Sequence, residues 1–174
     1  HGGANIKVTQ MFEDMKSVLT DWEDEDQIRA YLEALLDKKA FDRKGLIYGM
    51  GHAVYTLSDP RAVILKQSAK KLAIEHGFEK EFLTLDAIER LTPKAFADVK
   101  GVDKPMCANV DLYSGLVYKV LGIPEDLYTP LFASARIAGW CAHRLEEITT
   151  SSRIMRPAYK SVTKPRDYVD LSNR

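Results

Sequence analysis

One charged side chain, Arg136, interrupts a stretch of apolar and small residues from position 130 to position 142 (PLFASARIAGWCA). A helix that is apolar on all sides is normally buried, and a buried guanidinium needs an anion beside it. Composition alone favours an internal Asp or Glu as that anion. The alternative is a carboxylate or phosphate of a ligand, held by two parallel N–H···O bonds.

The loop 45–52 (GLIYGMGH) contains glycines that let the backbone approach a ligand closely. It is not a dinucleotide-binding fingerprint, because Val54 stands where a third glycine would be and no strand is predicted before it. An ordinary turn is the alternative interpretation. His52 ends this loop, and Arg61 follows one turn into a helix capped by Asp59. Arg61 is therefore predicted near an electropositive helix N-terminus that suits an anion.

Asp111 lies in the segment 109–115 (NVDLYSG) and opens a predicted helix whose other residues look buried. An N-cap or first-turn aspartate is the commoner explanation for an acid at this place. The functional alternative is a carboxylate that acts as a base from the start of a helix.

Helices are predicted to position these residues, because apolar side chains recur at spacings of three and four and no sustained alternation competes with them. Asp59-Pro60, Thr92-Pro93 and Thr129-Pro130 predict helix starts, and Gly77 and Gly122 predict helix ends. The sequence thus predicts an all-α domain of about six helices, with an extended tail from Thr149 onward. The four apolar stripes are Val8, Met11, Phe12, Met15, Val18 and Leu19; Ile28, Tyr31, Leu32, Leu35 and Leu36; Ala62, Leu65, Ala69, Leu72 and Ala73; and Tyr113, Leu116, Val117, Val120 and Leu121.

Composition excludes several classes of protein. The chain has 174 residues with 25 basic and 25 acidic side chains, so its zero net charge does not suit a general nucleic-acid binder. No apolar run approaches the roughly 20 residues of a membrane span. Cys107 and Cys141 have no paired ligand spacing, so we expect reduced thiols in the cytoplasm and no metal site. The start at His1, without an initiator Met, predicts a piece of a longer protein.

Five stretches resemble the C-terminal part of citrate synthases, in the family's order and spacing. They are HGGAN at 1–5, GMGHAVY with SDPRA at 49–62, NVDLYSG at 109–115, GIPEDLYTPLFASARIAGWCAHRLE at 122–146, and RPAY at 156–159. The resemblance implies an all-α homodimer whose large and small domains close over the substrates. It places the small domain at 1–123 and the last segment of the large domain at 124–174, including a long buried helix and a C-terminal arm. The bulk of the large domain would precede His1.

The same resemblance implies a catalytic role for three residues in the condensation of acetyl-CoA with oxaloacetate. Asp111 resembles the base that removes a methyl proton from acetyl-CoA. His1 resembles the histidine that hydrogen-bonds the enolate oxygen, and His52 resembles the one that polarises the oxaloacetate carbonyl. Citryl-CoA is then hydrolysed to citrate and CoA, as the family does in the tricarboxylic acid cycle, without a metal or a permanently bound cofactor.

Substrate contacts follow from the resemblance as well. Arg61 and Arg136 resemble the arginines that hold substrate carboxylates, which favours the ligand as the anion beside Arg136. Arg156 resembles the arginine that reaches into the partner's site across the dimer. The residues implied in CoA binding are Ile47, Tyr48, Gly49, Met50, Gly51 and Asn109.

Two alternatives stay open on the sequence. A 2-methylcitrate synthase, which uses propionyl-CoA, would share these active-site residues. A non-catalytic helical module for CoA binding or dimerisation would keep the fold without the chemistry. In either case we expect the 174-residue chain by itself to be inactive, because the large domain supplies the other wall of the cleft.

Overall fold

A computed structural model describes residues 3–150 of the chain. These residues form six α-helices and one short 3₁₀ helix, which confirms the all-α prediction. Their bounds are α1 Gly3–Val18, α2 Glu25–Leu36, α3 Pro60–His76, α4 Glu79–Lys100, α5 Asp111–Val120, the 3₁₀ helix Glu125–Leu127, and α6 Tyr128–Thr150. The chain divides into two compact units, 1–137 and 138–174. The predicted tail lies outside the described residues, apart from its first two positions, which belong to α6.

The core of the first unit is built from the predicted apolar stripes. Every member of the α2 stripe is buried, as are Val8, Met11, Phe12 and Met15 of α1. Helix α3 contributes mainly small side chains, because its buried residues are alanines. Only the ends of two stripes are wrong: Val18 and Leu121 are exposed, since each lies where its helix ends.

Helix α3 begins and ends where the sequence predicts. Asp59 is its N-cap and accepts a hydrogen bond from the backbone N–H of Arg61 at 3.0 Å, with Pro60 at the first helical position. Gly77 ends the helix with φ at +80°, and its N–H donates to the carbonyl of Ala73. Side-chain capping and a left-handed glycine thus fix both ends of the helix that carries Arg61.

The two other proline-based starts are wrong. Pro93 lies inside α4, where Thr92 is fully buried and its hydroxyl donates to the carbonyl of Ile88 at 2.6 Å. A proline in a helix interior costs about 3 kcal/mol, a cost that apolar burial along this 22-residue helix offsets. Pro130 lies in the first turn of α6, where a missing N–H is tolerated, but the helix already starts at Tyr128.

Helix α6 does not show the burial that its apolar sequence predicts. In the first unit Tyr128 is buried and its hydroxyl donates to the carbonyl of Gly115 at 3.3 Å, yet Leu131 and Ile137 are exposed. In the second unit Leu145 and Ile148 are also exposed. The predicted long helix is present, but Tyr128 is its one buried residue among those that the structure describes, so burial of the remaining turns stays a prediction for the complete protein.

Within the described part of the chain, no helix combines the length and the apolar character that crossing a membrane requires. Residues 3–150 also contain no group of three His, Cys, Asp or Glu side chains arranged to hold a metal ion.

Candidate active site

The glycine loop is tied to the segment that leads into α5. The N–H of Gly51 donates to the carbonyl of Cys107 at 2.7 Å, and the N–H of Asn109 donates to the carbonyl of Gly49 at 2.9 Å. The Asn109 side-chain amide adds a bond to the carbonyl of Gly51 at 2.9 Å. These bonds place the loop directly beside the start of α5, where Asp111 lies.

Gly49 is the point of closest approach between this loop and α5. Its φ is +85°, and a Cβ at this position would lie 2.9 Å from the Cα of Leu112. A side chain is therefore excluded both by conformation and by space. The glycine serves a close backbone contact with the helix that carries Asp111, so a ligand is not needed to explain it.

Asp111 is the first residue of α5, but its carboxylate does not cap the helix. The N-cap is Val110, which has no side-chain capping bond, and one residue earlier Oδ1 of Asn109 accepts the N–H of Asp111 at 3.0 Å. Oδ1 of Asp111 is buried and has no hydrogen-bond partner among the described residues. Burial raises the pKa of Asp111 above its ordinary value; the positive charge of Arg61 opposes that rise, and the negative charge of Asp59 adds to it. A carboxylate without a donor, and with a raised pKa, is suited to accept a proton.

Arg61 is held from its own helix by Asp59. The guanidinium donates from Nε at 3.0 Å and from Nη2 at 2.8 Å to the two carboxylate oxygens, and Asp59 is buried whereas 54% of the Arg61 side chain is exposed. These hydrogen bonds hold the pKa of Asp59 below its usual range despite burial. The sequence predicts Asp59 only as a helix cap. Its second role is the ion pair with Arg61, which is indicated by an Asp at the N-cap two positions before an Arg.

His52 has its tautomer set by the backbone. Its Nδ1 accepts the N–H of Val54 at 2.9 Å and that of Tyr55 at 3.1 Å, so the ring proton of the neutral form is on Nε2. Nε2 lies 3.1 Å from Nη2 of Arg61, which carries only donors. Two N–H groups therefore lie next to each other, an arrangement that suits an oxygen atom of a ligand as their shared acceptor, and the charge of Arg61 also acts on the carboxylate of Asp111.

The structure brings together His52, Arg61, Asp111 and the glycine loop, as four parts of one cluster. It does not bring Arg136 to them: this arginine is exposed on α6, and no hydrogen bond or ion pair joins it to the cluster within residues 3–150. The role of Arg136 in holding a substrate carboxylate therefore stays a prediction. His1 and Arg156 lie outside the described residues.

A family model described as the C-terminal domain of citrate synthase matches residues 1–158. The chain belongs to the citrate synthase family. It is 40% identical, over 90% of its length and 35% of the relative's, to a citrate synthase of Synechocystis sp.. It is 34% identical, over its whole length and 41% of the relative's, to a 2-methylcitrate synthase of Shewanella oneidensis.

A solved structure of a citrate synthase from Thermoplasma acidophilum, in a ternary complex with carboxymethyl coenzyme A and oxaloacetate, has the same fold. It matches with a TM-score of 0.68 and 30% sequence identity, over 99% of this chain and 42% of that one. The chain therefore spans 35–42% of the length of these three citrate synthase family members.

Proposed function

We propose that the cluster of Asp111, His52 and Arg61 carries the condensation chemistry of a citrate synthase, joining acetyl-CoA to oxaloacetate. One observation supports this most strongly: Oδ1 of Asp111 is a buried acceptor without a donor among the described residues, and it interacts electrostatically with Arg61, whose Nη2 lies 3.1 Å from Nε2 of His52. Proton removal and carbonyl polarisation need these two functions next to each other.

The first step is removal of a methyl proton from acetyl-CoA by the carboxylate of Asp111. A thioester methyl is a weak carbon acid, so the base needs a pKa closer to neutrality than that of an ordinary carboxylate. Burial of Asp111 raises its pKa in this direction. The enolate oxygen requires a hydrogen-bond donor, a role that the family resemblance assigns to His1.

The second step forms the carbon–carbon bond. The enolate carbon attacks the ketone carbon of oxaloacetate, and the ketone oxygen takes the electron pair of the C=O bond. The Nε2–H of His52 and a guanidinium N–H of Arg61 are the donors that stabilise the charge on that oxygen. Citryl-CoA then loses CoA when water cleaves the thioester.

Further contacts complete this proposal. Arg61, with Arg136 and Arg156, holds the substrate carboxylates, and the backbone of residues 47–51 with Asn109 contacts CoA. Both polar atoms of the Asn109 side chain are used within the protein, so its contribution to CoA binding is positional. The small domain extends over 1–123 and large-domain residues over 124–174. The complete enzyme acts as a homodimer in the cytoplasm, with Arg156 reaching the partner's site.

Steady-state assays of the complete protein that contains this chain test the proposal. Release of the CoA thiol should require both acetyl-CoA and oxaloacetate, and Arg61→Leu should raise the oxaloacetate KM strongly. Arg29→Leu is the matched control, because Arg29 is likewise a partly exposed arginine held in ion pairs, with Glu33 and Asp98, on another surface. Equal kinetics of the two variants would contradict the role of Arg61.

The similarity to a 2-methylcitrate synthase gives propionyl-CoA as a second candidate substrate. One methylene in a pocket changes selectivity by about 10–200-fold. The ratio of kcat/KM for acetyl-CoA and propionyl-CoA decides between the two, and we expect it to favour acetyl-CoA.

A further inference from the structure

Tyr113 lies two residues after Asp111 on α5, and its side chain is fully buried. The ring stacks on Phe82 of α4, with ring centroids 5.8 Å apart, and the hydroxyl donates to the carboxylate of Glu89, also on α4. Burial, with the hydrogen bond to Glu89, raises the pKa of this phenol, so it stays protonated. A phenylalanine would stack equally well, so apolar packing does not explain the hydroxyl.

Glu89 continues the connection to α3. The same carboxylate oxygen, Oε2, accepts a hydrogen bond from Nζ of Lys66 at 2.9 Å, and Lys66 also pairs with Asp86 at 2.5 Å. Burial lowers the pKa of Lys66, but its bonds to these two carboxylates outweigh burial and leave the pKa raised. The lysine is therefore charged at neutral pH, and the link from Tyr113 through Glu89 to Lys66 joins three helices.

Helix α3 packs directly against α5, and small side chains make this contact. The buried residues of α3 are Ala62, Ala69 and Ala73, which offer little contact area. A cavity of about 200 Å³ also lies beside the first turns of α3, with Asp59, Lys66 and Glu89 in its wall. Because small side chains interlock little and a half-buried ion pair constrains geometry, the polar link adds a directional constraint to this packing.

We propose that Tyr113, Glu89 and Lys66 are positioning residues that set the distance between Asp111 on α5 and Arg61 on α3. The inference rests on the proposed function, in which these two residues serve different reactants. Lys66 follows Arg61 by five residues, or about 7.5 Å along the helix. Since helices move as rigid units, breaking the link shifts the two reactants relative to each other, while each still binds. The expected signature is a lower kcat with unchanged oxaloacetate affinity.

The test compares Tyr113→Phe with Tyr31→Phe in the complete protein that contains this chain. Tyr31 is a matched control: it is buried, and its hydroxyl donates to Asp14 at 2.5 Å, away from α3 and α5. Both variants lose one tyrosine–carboxylate hydrogen bond and should lose similar stability. We expect Tyr113→Phe to lower kcat about tenfold, because small misplacement of reacting groups is costly, and Tyr31→Phe to leave kcat unchanged.

A second variant, Lys66→Met, removes the α3 end of the link and keeps most of the side-chain stem. We expect the same loss of kcat, and the double variant Tyr113→Phe/Lys66→Met should lose no more than either single one, since both changes break one link. If Tyr113→Phe fails to fold, the result for Lys66→Met decides.

Unchanged kcat in the folded variants, or a kcat loss shared by Tyr31→Phe, overturns the positioning role. So does a fully additive double variant. Asp111→Asn, assayed in parallel, separates this failure from that of the proposed function. If that variant keeps the parent's rate, the proposed function itself fails, and the positioning inference fails with it.

Discussion

At the scale of single residues, two aspartates that both interact with the charge of Arg61 have opposite environments. Asp59 receives two hydrogen bonds from the guanidinium of Arg61, whereas Oδ1 of Asp111 receives none from the described residues. The pKa of Asp59 is accordingly lowered and that of Asp111 raised. The carboxylate of Asp59 stabilises the fold when ionised, whereas that of Asp111 destabilises it.

Asp111→Asn should therefore stabilise the folded chain at neutral pH. The folded pKa of Asp111 lies above its ordinary value of 3.8, so ionisation opposes folding once the pH exceeds that value. The stability gain should be complete above the folded pKa and vanish below about pH 3.8, where both states are protonated. Urea unfolding at several pH values measures it. A destabilised Asn variant at pH 7 would show that Asp111 is a structural acid.

Asp59→Asn should have the opposite sign. The folded pKa of Asp59 lies below 3.8, so the ionised carboxylate contributes stability that is fully present above that pH and is lost as the pH falls through the folded pKa. The Asn variant keeps a capping oxygen but loses the ion pair, so it should be less stable at pH 7 and match the parent in strong acid. The same urea series checks this. A stability difference that persists at low pH would assign the effect to capping.

At the scale of elements, two glycines of one loop allow the effect of a close backbone contact on stability to be measured apart from the effect of a positive φ. Gly49 and Gly51 both have φ at +85°, but only at Gly49 would a Cβ meet the backbone of Leu112. Gly51→Ala should cost about 1–2 kcal/mol from strain alone, and Gly49→Ala about 1–3 kcal/mol more from the clash. Thermal unfolding of the two variants gives the difference. Equal losses would mean that the loop yields freely against α5.

Gly115 marks the crossing of α1 and α5. A Cβ there would lie 2.5 Å from the hydroxyl oxygen of Thr9, which donates to the carbonyl of Asn5 at 3.1 Å. Helix propensity alone would make Gly115→Ala more stable by about 1 kcal/mol. A less stable variant would therefore show that the clash with Thr9 outweighs this gain. We expect Gly115→Ala to lower the melting temperature, and the double variant Thr9→Ala/Gly115→Ala to restore it. A stabilised single variant would contradict the close crossing.

Much of the helical architecture was predictable from apolar periodicity and helix caps, which involve residues close together in the sequence. The apolar spacing of α1 and α2 and the Asp59–Gly77 bounds of α3 are confirmed, because periodicity and capping are local. Thr92-Pro93 carries the same local signal as Asp59-Pro60, yet α4 passes through it, because tertiary burial outweighs one missing hydrogen bond.

The candidate site was predictable only in part, for the same reason. The sequence itself singled out His52, Arg61 and Asp111 as possible functional residues. The link from Tyr113 to Glu89 and on to Lys66 was not predictable, because its members are more than 20 residues apart and only the fold brings them together.

At the scale of the whole molecule, the described chain presents apolar side chains that its sequence would bury. Leu145 and Ile148 on α6 are each more than 60% exposed. The 174-residue chain should therefore associate as its concentration rises, since exposed apolar area favours contact. Light scattering after size exclusion measures this, and Leu145→Lys/Ile148→Lys should reduce it. Leu57→Lys, at an exposed loop residue of the first unit, is the control. A monomer at all concentrations would contradict the prediction.

We propose Asp111 as the base that removes the methyl proton of acetyl-CoA. The most direct measurement is deuterium exchange from solvent into that methyl group, in the complete protein with a non-reacting oxaloacetate analogue. Loss of a general base typically lowers the rate by about 10²–10⁴, and we expect this for Asp111→Asn with analogue binding retained. Asp103→Asn, at an exposed acid in the loop before α5, should exchange at the parent rate. Exchange at the parent rate in the Asp111→Asn variant would contradict the account.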